Sequence, residues 1–163
     1  MVRIWFRDAF YGGLTVALVV GLFLVWLWRP EHQLQRHSEN LLQAVAKKDW
    51  ARFASFIGSD YQDQWGNDHA LVLERTREVF RYVQSVRFTA PNPNVWTANH
   101  SGYWKAKIMI DGDNGEVMAM IKERVNSLAA PFQLEWRRVS GKPWDWKLVR
   151  VSNAELVIPS ESQ

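Results

Sequence analysis

A chain of 163 residues with 20 Lys and Arg against 17 Asp and Glu is barely cationic, and beyond residue 28 the count is 18 against 16. That near-balance lacks the basic excess of a phosphate-tracking surface, which excludes nucleic acid as a partner despite a pI of 9.3. No Cys is present, so disulfide staples and thiol chemistry are excluded too.

Residues 1–8 form a short tail with Arg3 and Arg7. From Ala9 to Trp28 the chain is uncharged and mostly apolar. At about 1.5 Å per helical residue such a run crosses a hydrocarbon core of roughly 30 Å. It ends in bulky residues, Leu24 to Trp28, with no small-residue cleavage site, and Trp5, Trp26 and Trp28 suit an interfacial aromatic belt. The expectation is an uncleaved single-pass anchor. Its short leading tail predicts N-in, C-out, which places the domain outside the cytoplasm, in the periplasm of a Gram-negative cell.

After the anchor, about 135 residues suffice for one domain, expected over 30–158 with a disordered tail at 159–163. Leu34, Leu41, Leu42 and Val45 line one face of a helix from Pro30 to Lys48, with Pro30 in its first turn. Asp49 caps a second helix carrying Trp50, Phe53, Ala54 and Ile57, and Gly58 ends it. A third helix begins near Asn67-Asp68 and places Val72, Thr76, Val79, Phe80 and Val83 together.

Beyond Gln84 the apolar period changes to two. Short strands are predicted at Ser85–Thr89 and Val95–Ala98, separated by Pro91 and Pro93. Tyr103–Ile110 and Glu116–Val125 read as a hairpin around Asp111 to Gly115, and Phe132–Val139 with Trp144–Ser152 as a second. The predicted class is α+β: a transmembrane helix, then three helices packed on a curved antiparallel sheet.

The run Leu42-x-Ala44-x-x-x-Lys48-Asp49-Trp50 and the closing strand Trp146-Lys147-Leu148-Val149-Arg150-Val151 resemble the nuclear transport factor two-like superfamily. The likeness spans roughly Leu34 to Ser152. It implies a cone-shaped fold, a pocket at the open end of the cone and homodimerisation through the sheet.

In enzymes of that fold a carboxylate or His base works with a Tyr or acid donor. The nearest matches are Tyr61, Asp63 and His69, with Glu123 and Glu135 on predicted strands. Glu123 continues the alternate series Val117, Ala119, Ile121, and if buried needs a partner such as Arg137 or Arg150. Seven of the ten Trp residues follow the anchor, and Trp65, Trp104 and Trp136 are the candidates to line a ligand or partner site. The segment Asp111 to Lys122 begins like a calcium loop but has Glu116 at position six and Lys122 at position twelve, so it is a turn. The four His are scattered and predict no metal site, and no motif implies a cofactor. Two functions follow. The first is a membrane-anchored, non-catalytic binding or scaffold module that contacts a protein partner or small apolar ligand at the bilayer; the second is an isomerase-, lyase- or cyclase-like enzyme.

Overall fold

The structure, a computed structural model, describes residues 14–24 and 29–157. Residues 14–24 are helical (α1), with their large apolar side chains exposed. No helix among the described residues is long and apolar enough to cross a membrane. Of the run expected to do so, residues 9–13 and 25–28 lie outside the described residues, as do the tails at 1–8 and 158–163.

Helix α2 runs Pro30–Ala46, with Pro30 at its start where the missing N–H costs nothing. Its buried stripe is Leu34, Ser38, Leu41, Ala44 and Val45. Asp49 caps α3 (Trp50–Phe56) by accepting from the Arg52 amide, and Asp68 caps α4 (His69–Arg81) by accepting from Leu71. These three helices stand where the apolar spacing puts them.

Strands β1 (Val86–Thr89), β2 (Asn94–Ala98), β3 (Ser101–Ala106), β4 (Met109–Gly112), β5 (Phe132–Arg138) and β6 (Trp146–Ser152) form two antiparallel sheets, β1-β4 and β2-β3-β5-β6. The expected strand from Tyr103 to Ile110 is thus broken between β3 and β4. The two sheets are halves of one bent hairpin. Thr89 pairs with Met109 and Asn94 with Lys105, so residues 90–93 face only residues 106–108. The extra residue, Pro91 and Pro93, and the left-handed Asn92 (φ 50°) interrupt the ladder and turn the chain. At the tip, Asn99 and His100 both have positive φ, as a two-residue turn matched to strand twist requires.

Glu116–Asn126 is helix α5, not the expected strand, which removes the predicted hairpin and makes five helices among the described residues instead of an anchor plus three. Val117, Ile121 and Val125 are four apart, a spacing that serves either period, while Glu, Met, Ala, Lys and Arg between them favour helix. Met118 is buried, with Ile121 and Val125 packed on the core behind it. Asp113 instead closes the preceding turn: it accepts from the Gln84, Ser85 and Gly115 amides, which hold its carboxyl below the usual range. The segment expected as a hairpin turn thus joins β4 to α5.

The core lies between α2 and α3 and the inner sheet face of Trp104, Leu134, Trp136 and Leu148. Leu34 sits so close over Gly102 that a Cβ there would stand 2.3 Å from its Cδ1. Beyond α3, the amides of Gly58, Gln62 and Gln64 bond the carbonyls of Leu148, Val149 and Val151, covering the outer edge of β6.

Candidate functional site

Tyr61, Asp63 and His69 share the connection between α3 and α4, but the structure employs them to hold that connection. Asp63 is buried and accepts from the Trp65 amide (2.9 Å), the Asn67 amide (2.9 Å) and Asn67 Nδ2 (2.8 Å). Asn67 in turn accepts from Arg75 Nη1 at 2.8 Å. The Tyr61 hydroxyl donates to Asp63 Oδ2 over a long 3.4 Å, and burial, followed by the Asp63 charge, pushes its pKa far above the ordinary tyrosine value. A phenol held neutral this firmly is a poor proton donor. His69 turns away and donates from Nδ1 to the Gly58 carbonyl at 2.9 Å.

Glu123 lies exposed on α5 and not on a strand, so it needs neither Arg137 nor Arg150. Arg137 instead pairs with Asp60. Glu135 faces Tyr103 and Arg150 in register across the sheet. On β3 and β5 the neighbours of Tyr103 and Glu135 in sequence are buried, so these two occupy the outer face, away from the helices. The five candidate catalytic groups therefore do not converge on one cavity. Among the described residues no group of three His, Cys, Asp or Glu could hold a metal ion.

The three Trp candidates separate clearly. Trp65 donates from Nε1 to the Leu156 carbonyl at 2.9 Å and straps down the C-terminal segment. Trp136 is 0% exposed and donates from Nε1 to the buried Ser38 hydroxyl at 3.1 Å. Trp104 is 1% exposed, and its indole N–H has no acceptor among the described residues. That is unusual for a buried indole, whose N–H ordinarily finds a partner.

Trp104 lines a groove of about 430 Å³ between α2 and β1, with Glu39, Leu42 and Gln43 on the helix side and Val86, Phe88 and Ala90 on the strand side. Pro93 completes the wall where the hairpin bends. Its volume falls within the usual range of ligand sites. Strand β1 pairs only with β4 among the described residues, so its second edge offers unpaired backbone groups beside the groove. An apolar trough and a free strand edge can together hold an extended chain. Of these lining residues, sequence reasoning named only Trp104. The interruption Pro91-Asn92-Pro93 was the available signal for the bend.

No known family pattern matches the sequence, and no curated protein matches it. Solved structures do match it in fold. Bd1075 of Bdellovibrio bacteriovorus superposes with a TM-score of 0.59 at 14% identity, over 76% of this chain and 40% of its own. This chain thus spans well under half of that protein. A candidate aromatic ring hydroxylase from Novosphingobium aromaticivorans gives 0.59 at 15% identity, covering 79% and 90%. A candidate dehydratase of the NTF2-like family from Streptomyces avermitilis gives 0.56 at 12%, covering 78% and 96%. At these identities the likeness establishes the fold, which is nuclear transport factor two-like, and nothing about activity.

Proposed function

We propose that the protein is a single-pass, membrane-anchored, non-catalytic recognition module whose domain, outside the cytoplasm, takes an extended apolar segment of a protein partner along β1 in the α2–β1 groove. The observation that carries this reading is the α2–β1 groove lying beside a strand edge that is unpaired among the described residues. An added strand pairs with the free edge of β1, and the trough receives its alternate side chains. The anchor is supported by α1, where Leu14, Val16, Leu18, Val19, Val20, Leu22, Phe23 and Leu24 are all exposed. A helix apolar on every side requires an apolar surrounding.

The rival, an isomerase, lyase or cyclase, requires acid and base groups within reach of one substrate atom. Tyr61 and Asp63 are consumed by their own loop, and Glu123 is on another element. Two of the fold neighbours are named as candidate enzymes, but that likeness extends to the fold alone.

An NMR titration of the full chain in detergent micelles with a panel of Val- and Thr-rich octapeptides tests the reading. Shifts confined to the β1 amides and the Trp104 indole N–H are expected. Absence of any shift at millimolar peptide, or shifts centred on the Tyr61–His69 connection, would refute it.

A further inference from the structure

The end of the domain that bears the start of α2 is also the end that carries two hairpin tips. Thr97 Oγ1 donates to Glu31 in the first turn of α2, and Leu34 rests on Gly102 just past the β2–β3 turn. The Arg138 amide bonds the His100 carbonyl, which brings the end of β5 to the same level, and the β5–β6 turn projects beyond it. Only residues 25–29 connect α1 to this end.

The β5–β6 turn is rigid and presents apolar groups outward. Its base is closed by the Val139 amide on the Asp145 carbonyl at 2.9 Å. Trp146 Nε1 donates to the Pro143 carbonyl at 2.9 Å, while the Arg138 guanidinium lies 5.2 Å over the Trp146 ring. Nothing on the domain covers Val139 or Trp144, which are 62% and 54% exposed, and Lys142 is exposed between them. A large indole held in water by a braced turn, with an aliphatic neighbour and a cation, has the chemistry of a lipid-interface contact.

We propose that Trp144, Val139 and Lys142 at the β5–β6 tip seat in the lipid interface as a second membrane contact, fixing the orientation of the domain on the bilayer. The proposal rests on the anchored reading above. A peripheral tip of this kind holds the α2–β1 groove at a set angle to the membrane. Because both hairpin tips and α2 lock together, one contact orients the whole sheet.

The absence of native Cys allows single labels to be placed without background. The full chain, carrying Val139→Cys, Leu18→Cys or Met120→Cys with an environment-sensitive fluorophore, is reconstituted in vesicles of three parts phosphatidylglycerol to seven of phosphatidylcholine with brominated acyl chains. Position 120 is an exposed site on α5, which packs by β4 at the far end of the bent hairpin. Quenching at 18 and 139 but not at 120 is expected, with loss of the signal at 139 when Trp144→Glu is added and a weaker signal with Lys142→Glu. Quenching at 18 without quenching at 139 overturns the tip contact and leaves the anchor standing. No quenching at 18 overturns the anchored reading itself, and equal quenching at 139 and 120 overturns a contact specific to the tip.

Discussion

The two buried indoles allow a paired experiment in which most of the uncertainty cancels. Trp136→Phe and Trp104→Phe remove the same ring nitrogen and the same volume from sites that are 0% and 1% exposed, so their cavity terms are alike. The hydrogen-bond terms are opposite. Trp136→Phe loses a bond worth about 1 kcal/mol and strands the buried Ser38 hydroxyl at about 1–3 kcal/mol. Trp104→Phe removes a donor that already lacks a partner and returns a desolvation cost of about 1–3 kcal/mol. The Trp136 variant is therefore expected to be less stable than the Trp104 variant by about 3–7 kcal/mol. At roughly 3 °C per kcal/mol for a domain of this size, thermal melts of the full chain in micelles should separate by about 9–21 °C. Adding Ser38→Ala should rescue part of the Trp136 loss and leave the Trp104 variant with its own independent cost. Equal melting temperatures for the two single variants would refute the assignment of Trp104 as an orphan donor.

Three further outcomes follow from the packing. Gly102→Val should destabilise the chain by about 1–3 kcal/mol, because Leu34 already fills the space a Cβ needs; an unchanged melting temperature would contradict the close approach of α2 to β3. Asp63→Ala should cost about 3 kcal/mol and abolish hydrogen-exchange protection at the Trp65 and Asn67 amides, whereas retained protection would show that the connection does not depend on this carboxylate. Since the folded protein raises the Tyr61 pKa above its ordinary value of 10.0, the stabilisation is fully present below pH 10 and is lost as pH rises beyond it, when the unfolded chain ionises first. Urea midpoints measured from pH 8 upward should therefore fall less steeply for Tyr61→Phe; parallel curves would contradict the shift.

The order of elements was legible because each helix carries its own local signals. Asp49 and Asp68 cap as their positions suggest, and the stripe Leu34, Leu41, Val45 needs only one buried side. Where the reading failed, two periods fitted the same residues. Val117, Ile121 and Val125 satisfy a spacing of four as well as of two, and only the side chains between them, together with Met118 packed beneath, decide for helix. The break between β3 and β4 depends on what Lys107 and Ile108 face across the hairpin, a long-range fact that no local pattern contains.

The site was less legible, for a physical reason that bears on function. Chemical residue types stand out in a sequence whether they serve a reaction or a loop, and Tyr61, Asp63 and His69 all spend their bonds on backbone or on one another. The groove is built instead from ordinary residues, Leu42, Phe88, Ala90 and Pro93, that acquire meaning only through the bend. One surplus residue between β1 and β2 parts the two sheets, and an edge of β1 stays unpaired among the described residues. The proposed recognition of an extended segment draws on that trough and that free edge, and not on any group marked out by its own chemistry.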